Sequence, residues 1–165
     1  MTGGTGKNLS FGKSVNSMSP ISQNNAMVAA YVMSNDINGK AMISAGQYSN
    51  NPYFGIVSDL RATLNSSTYG PFTTPSLPIL LLATRSSSTQ MVTRARGAER
   101  PISAASAAMT SNNLFLFSNT TNSTNFKGTL AGYMLGTYPY GTAVTTGRAD
   151  WDTGWDTLIN TLASL

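Results

Sequence analysis

The sequence contains no cysteine and no histidine, and each absence excludes whole classes of site. Without cysteine the chain has no disulfide framework and no thiolate that could attack a substrate or bind a metal. Without histidine it lacks the commonest general base and the commonest metal ligand. A hydrolytic triad of serine, histidine and aspartate is therefore excluded.

Acidic residues are also scarce, and this bears on hydrolytic activity. Jelly-roll glycoside hydrolases need carboxylates that project from one strand at alternate positions, and no such spacing occurs here. Asp150 and Asp152 fall in the first turn of a predicted helix, where negative charge stabilises the helix. A catalytic pair of carboxylates assembled from distant segments of the chain is the remaining alternative. We predict that the protein is not an enzyme. The complete set of carboxylates is Asp36, Asp59, Glu99, Asp150, Asp152 and Asp156.

Two short motifs resemble ion-binding loops, and neither has the full pattern. The turn NDING at 35–39 offers Asn35, Asp36 and Asn38 to a calcium ion, but these residues are equally typical of a plain turn. The segment GGTGKN at 3–8 lacks the G-x-x-x-x-G-K-[ST] order of a phosphate loop and does not follow a predicted strand. We therefore expect no metal and no cofactor.

No apolar run is long enough to cross a membrane. The segment ILLLA at 79–83 is far shorter than the roughly 20 residues that a spanning helix needs. The N-terminal segment MTGGTGKNLSFGKSV contains no apolar core of the length found in signal peptides. We expect a protein with no membrane span and no secretory leader, which leaves its producing cell by another route such as lysis.

Serine, threonine and asparagine are abundant and make up about a third of the 165 residues. Charged residues are only 10%, against about 25% in an average domain. The hydrophobic share of 41% is enough for one core in one domain. Such a surface is solvated by hydroxyls and amides, as on many β-sandwich proteins of virions and cell surfaces.

Short apolar segments between turn-forming clusters predict an all-β fold. The segment AMVAAYVM at 26–33 is apolar on both faces, as in a strand buried inside a sandwich. Tyr53 to Leu64 alternates and is predicted as one strand, with Phe54 and Ile56 inward and Thr63 on a wet face. We predict an antiparallel jelly-roll or β-sandwich of about seven or more strands with a C-terminal helix.

The last third of the chain predicts a hairpin followed by that helix. Two apolar strands, at 114–117 and 129–135, flank the polar loop SNTTNSTNFKG. The final segment DWDTGWDTLINTLASL repeats large apolar residues at spacings of three and four, which is one face of a helix. A helix this short needs a docking surface, and we expect it to dock on the sheet it follows. Its apolar residues are Trp151, Trp155, Leu158, Leu162 and Leu165.

These segments resemble the end of concanavalin A/laminin-G-like jelly-roll domains, in particular those of bacteriophage tail and structural proteins. In such domains a strand of the type LFLFSN and a strand of the type FKGTLAGYMLG precede a terminal helix. The resemblance covers residues 114–165 and implies such a domain at 26–165. Residues 1–25 are rich in Gly, Ser and Asn, and we predict that they form an arm that is either flexible or ordered on a neighbouring subunit. The matching positions are Leu114, Phe115, Leu116, Phe117, Asn119, Phe126, Gly128, Leu130, Tyr133 and Gly136.

The resemblance implies a non-enzymatic structural or adhesive component of a bacteriophage virion, as a tail-fibre, tail-tip or capsid-decoration module. Its partners would be other virion subunits, in a homo-oligomer for which a trimer is favoured, and a host surface glycan. The alternative is a carbohydrate-binding module or lectin outside any virion. Its sugar would stack on exposed aromatic rings, unless these rings only cover the core. The candidate residues are Tyr69, Phe72, Tyr138 and Tyr140.

Four arginines fall within sixteen residues of a chain with a net charge of +4. They are either a solvated strand face or a basic patch for an acidic partner. Because no aromatic residues are interleaved with them to stack bases, a protein or glycan partner is favoured over nucleic acid. The four residues are Arg85, Arg94, Arg96 and Arg100.

Overall fold

The computed structural model describes residues 9–34, 41–46, 53–57, 60–72, 76–95, 98–118 and 126–137. These residues form eleven strands and a single 3₁₀ turn at Val15–Ser17. The strands are β1 (Leu9–Ser14), β2 (Ala26–Ser34), β3 (Ala41–Ala45), β4 (Tyr53–Val57), β5 (Arg61–Ser66), β6 (Gly70–Pro71), β7 (Ile79–Arg85), β8 (Gln90–Ala95), β9 (Ala98–Ser103), β10 (Asn113–Leu116) and β11 (Thr129–Gly136).

The strands build two antiparallel sheets that pack face to face. One sheet has six strands in the order β1-β10-β3-β4-β5-β6, and the other has five in the order β11-β2-β7-β8-β9. The predicted all-β antiparallel sandwich is confirmed, and it is compatible with a jelly-roll-like fold. The predicted C-terminal helix lies outside the described residues. Within the described part of the chain, no helix has the length and apolar character needed to cross a bilayer.

Alternation along β2 shows how the core forms. Val28, Ala30 and Val32 face the six-stranded sheet and join the main core. Met27 and Ala29 point to the opposite face of the five-stranded sheet and are also buried. The prediction that this segment is a strand with two apolar faces is therefore confirmed. The main core is completed by large side chains from both sheets, among them Phe54, Ile56, Leu64, Leu81, Leu114 and Phe126.

The alternating segment at 53–64 is two strands, and its prediction as one strand is wrong. The chain reverses after β4, where the Leu60 N–H donates to the Val57 carbonyl oxygen at 3.1 Å and Leu60 has a φ of 57°. β4 and β5 then pair, with Ile56 opposite Ala62. Thr63 faces away from Ala62 and Leu64, which join the main core, but it is fully buried, so its predicted wet face is wrong.

The last two described strands do not form a hairpin, in contrast to the prediction. β10 pairs with β1 and β3 in the six-stranded sheet, whereas β11 pairs with β2 in the five-stranded sheet. The connection between them therefore crosses from one sheet to the other. Phe117 and Phe126 flank this crossing with parallel rings 6.2 Å apart, and the Phe126 N–H donates to the Phe117 carbonyl oxygen at 2.9 Å.

The N-terminal segment takes part in the sandwich from Leu9 onward. β1 pairs with β10, with Leu9 opposite Leu116, and Val15 is fully buried in the main core. The physical reason is that β1 pairs with the edge of β10 while Phe11 and Val15 pack on the main core. Residues 1–8 of the predicted arm lie outside the described residues.

Candidate binding surface

Tyr69 lies at a surface corner of the sandwich, in the connection between β5 and β6, and its side chain is half-buried. The guanidinium carbon of Arg61 lies 5.2 Å from the centre of the Tyr69 ring. This is the geometry of a cation–π contact, which stabilises the ring in one position. Arg61 begins β5 and pairs with both Val57 and Pro71, so the cation itself is placed by the sheet.

Polar side chains fix the turn that carries Tyr69. The buried Thr63 hydroxyl donates to the Ser66 carbonyl oxygen at 2.7 Å, and the Thr68 N–H donates to the Ser66 hydroxyl at 3.1 Å. Such local bonds hold a turn in a defined conformation. Tyr69 is therefore presented by a preorganised connection, which reduces the entropy lost when a ligand binds.

Phe72, the second described aromatic residue of the predicted glycan site, belongs to the core. Its side chain is 5% exposed, and its N–H donates to the Leu60 carbonyl oxygen at 2.8 Å. A buried ring cannot stack on a sugar without moving. Of the four predicted residues, Tyr69 alone is described at the surface, because Tyr138 and Tyr140 lie outside the described residues.

Arg85 faces the core and not the surface. It continues the inward alternation of Ile79, Leu81 and Ala83 along β7 and is fully buried. Its Nε donates to the Leu64 carbonyl oxygen of the opposite sheet at 2.7 Å. The sequence suggests a solvated charge here, but the strand register turns this side chain inward. Burial lowers the pKa of the guanidinium, although arginine stays protonated in proteins.

The other two described arginines of the predicted patch, Arg94 and Arg100, lie on two different faces of the five-stranded sheet. Arg94 lies opposite Glu99 on the neighbouring strand, with Nη1 and Oε2 3.7 Å apart. Arg100 is exposed and lies opposite Thr93, the neighbour of Arg94, so its side chain is on the other face. Arg96 lies outside the described residues. The described arginines are thus not brought together in one patch.

One side of the sandwich exposes apolar residues, and we name it the β1–β11 side. It is formed by Leu9 and Phe11 of β1 together with Tyr133 of β11. The rings of Phe11 and Tyr133 meet edge to face with centres 5.5 Å apart, so the terminal strands of the two sheets adjoin here. Leu9 is 45% exposed and Tyr133 is 41% exposed. Sequence reasoning missed this surface because the arm and the strand are far apart in the chain.

The side of the sandwich opposite to the β1–β11 side is closed by contacts between the two sheets. The Thr93 hydroxyl donates to the Pro71 carbonyl oxygen at 2.9 Å, which ties β8 to β6 across the two sheets. A Cβ atom at Gly70 would come within 2.7 Å of Ile102 Cγ1 and 2.8 Å of Met91 Cε. The two sheets therefore approach closely on this side.

The described residues contain no group of three acidic side chains that could hold a metal ion. Within these ranges Glu99 is the one acidic residue, and it faces Arg94. The other carboxylates of the chain, including Asp36 of the NDING turn, lie outside the described residues.

No model of a known protein family matches the sequence, and no curated protein matches it at a significant level.

Proposed function

We propose that this protein is a non-enzymatic structural or adhesive module of a bacteriophage particle, which contacts other subunits through its β1–β11 side. The virion setting, in a tail fibre, tail tip or capsid decoration, follows from the resemblance of residues 114–165. The observation that carries the contact surface is the exposure of Leu9 and Tyr133 where the terminal strands of both sheets meet.

The four terminal strands of the sheets differ in how well they resist pairing with another chain. β9 carries Glu99, Arg100 and Pro101, and β6 is two residues long and contains Pro71. Charge, proline and short length are the usual protections of a sheet edge. β11 is eight residues long and has neither charge nor proline. A long terminal strand without charge or proline, next to exposed apolar side chains, supports a subunit contact on this side.

A second copy of this chain is the partner that we propose for the β1–β11 side. Exposed apolar residues at the edge of a sandwich are buried when like edges meet around a symmetry axis. This supports the homo-oligomer that the resemblance implies, with a trimer favoured. Interfaces of this kind have an apolar centre with few charges; Lys13 is the one charged residue in β1, and β11 has none.

We expect the purified protein to be oligomeric, and we expect Ala131→Lys to convert it to a monomer. Ala131 is exposed on β11, so the added charge leaves the fold intact but must be desolvated in the contact. Light scattering after size-exclusion chromatography measures the mass. The matched control is Ala98→Lys, which adds the same charge to exposed Ala98 of β9 and should leave the oligomer unchanged. A wild-type monomer at all concentrations would contradict the proposal.

A glycan site at Tyr69 is a second candidate function, and the Arg61–Tyr69 contact favours it. An aromatic ring held at the surface by a neighbouring cation is a suitable platform for a sugar face, with hydroxyls nearby to bond its rim. In a virion this function would be host attachment. Outside a virion it would make the protein a lectin.

We expect saturable binding to host bacterial cells that soluble surface polysaccharide abolishes, and Tyr69→Ala should weaken it about tenfold, since a stacking contact contributes about 1.4 kcal/mol. Flow cytometry with labelled protein measures this binding. The control is Tyr69→Phe, which keeps the aromatic ring over Arg61 and should retain most of the sugar-competed binding. Equal binding by both variants would exclude Tyr69 as the platform.

A further inference from the structure

Two polar side-chain atoms at one end of the sandwich are buried and have no hydrogen-bond partner among the described residues. They are Nη2 of Arg85, at the end of β7, and Oδ1 of Asn65, close to the end of β5. Both side chains are buried as a whole. Because a buried polar atom without a partner is destabilising, native structures satisfy such atoms with protein groups or with ordered water.

The orientation of the Asn65 amide is fixed by its own hydrogen bonds. Its Nδ2 donates to the carbonyl oxygen of Ser22 at 3.3 Å and to that of Gln23 at 3.1 Å. An amide carries both of its donors on nitrogen, so these two acceptors use both donors. Reversing the amide would place Oδ1 against two carbonyl oxygens. Oδ1 therefore points to the unpartnered side, where it requires a group that donates.

The Arg85 guanidinium is fixed in the same way. Its Nε donates to the Leu64 carbonyl oxygen at 2.7 Å, and its Nη1 donates to Ser87 and Ala104 at 3.0 and 2.9 Å. Because the guanidinium is a planar fork, one N–H of Nη2 runs parallel to the Nε–H and points toward the peptide that joins Leu64 to Asn65. Nη2 therefore requires an acceptor on the side where Asn65 lies.

The backbone brings both groups to the same corner of the fold. Asn65 follows Leu64, which accepts the Nε bond, and the turn that accepts from the Asn65 amide leads into β2, where Ala26 pairs with Arg85. The Ala107 N–H donates to the Asn65 carbonyl oxygen at 2.7 Å, so the connection after β9 closes the corner. The two unpartnered atoms are enclosed by the same segments.

We propose that one internal water molecule binds between Arg85 and Asn65, accepting a hydrogen bond from Nη2 and donating one to Oδ1. Water is the small ligand that accepts and donates at once, and internal waters bond buried polar groups in this way. A halide would suit the guanidinium, but it cannot donate to Oδ1. A metal cation would suit Oδ1, but the guanidinium would repel it. The ligand chemistry therefore selects water.

This water connects four segments that are distant in the chain: the turn at 22–25, the end of β5, the end of β7 and the connection after β9. It completes the hydrogen bonding of a charged side chain that the strand register turns into the core. The inference is independent of the proposed function, since it concerns the interior of the sandwich.

A high-resolution crystal structure tests the site, and bromide identifies the ligand. We expect one density peak within about 2.7–3.2 Å of both Nη2 and Oδ1, and no anomalous signal there after a soak in sodium bromide. The absence of a peak within reach of both atoms would overturn the proposal, as would a direct hydrogen bond between them. A bromide signal would also overturn it, because the ligand would then be an anion.

Nuclear Overhauser measurements between water and the wild-type protein give a second readout in solution. The Hη2 protons of Arg85 and the Hδ2 protons of Asn65 should show cross-peaks with water that carry the sign of a long-lived internal molecule. The internal control is the side-chain amide of Gln23, which is exposed and donates to the Ser106 hydroxyl at 3.1 Å. It should show the sign of short-lived surface hydration. The same surface-type sign at Arg85 and Asn65 would contradict the proposal.

Discussion

Replacing Gly55 with alanine should lower the free energy of unfolding by at least about 3 kcal/mol and produce mostly unfolded protein if the wild type is only marginally stable. Gly55 lies in β4, a central strand, and pairs with Ser44 and Thr63 on its two sides. Its φ is 154°, a conformation that residues with a Cβ atom rarely adopt. A Cβ atom here would overlap the Ile43 carbonyl oxygen and lie 2.8 Å from Ser44 Cα. Because both neighbours are backbone atoms of a paired strand, they cannot move aside without breaking the ladder.

Urea denaturation, monitored by circular dichroism, measures this loss of stability. Substitutions at two other glycines separate the effect of backbone conformation from that of steric overlap. Gly12 has a φ of 66° but open space around its Cβ position, so Gly12→Ala should lose about 1–2 kcal/mol from conformation alone. Gly132 has open space and no positive φ, so Gly132→Ala should change stability by less than about 0.5 kcal/mol. Equal stability of the Gly55 and Gly132 variants would contradict the close approach of β3 and β4.

Replacing Arg85 with methionine should lower the free energy of unfolding by about 3 kcal/mol. The Arg85 side chain links three backbone segments: Nε donates to Leu64 at 2.7 Å, and Nη1 donates to Ser87 at 3.0 Å and to Ala104 at 2.9 Å. Methionine would leave these carbonyl oxygens without their donor. Removing the charge also relieves its desolvation, including that of Nη2, which is buried and has no hydrogen-bond partner among the described residues. We expect the destabilisation from three carbonyl oxygens without a donor to be larger than the stabilisation from the relieved desolvation.

The same urea experiment at mildly acidic and mildly alkaline pH tests the Arg85 prediction. The loss should not depend on pH, because arginine is protonated in the folded and unfolded states throughout. Arg85→Lys should also destabilise the protein, since an ammonium lacks the planar fork that reaches three carbonyls. Arg100→Met is the matched control, because Arg100 is exposed on the edge strand β9, and it should stay within about 0.5 kcal/mol of wild type. A variant Arg85→Met as stable as the wild type would show that water donates hydrogen bonds to these carbonyl oxygens instead, which would contradict the prediction.

The fold class follows from the sequence because hydrophobic patterning and turn chemistry act locally. Apolar segments separated by clusters of Ser, Asn, Gly and Pro predict strands, and β2 is found where the apolar segment at 26–33 predicts it. On β8 the alternation places Met91, Thr93 and Ala95 inward, as their spacing indicates. The absence of histidine and cysteine limits the chemistry without any knowledge of the fold.

Other features depend on contacts between distant residues, which no local pattern contains. The partners of β10 and β11 lie in different sheets, because β1 and β3 take up both edges of β10. The reversal at Leu60 is hidden by an alternation that continues through it. Arg85 is buried because carbonyls from two other segments meet its guanidinium.

The sequence by itself therefore determined the strand content and the scarcity of catalytic and metal-binding groups, since these depend on composition and spacing. Only the tertiary structure decided which of these residues meet. It placed Phe72 in the core, Tyr69 over Arg61, and Phe11 against Tyr133. The physical reason is that a side chain's exposure is set by strand order and register, and these are selected by the packing of the whole sandwich.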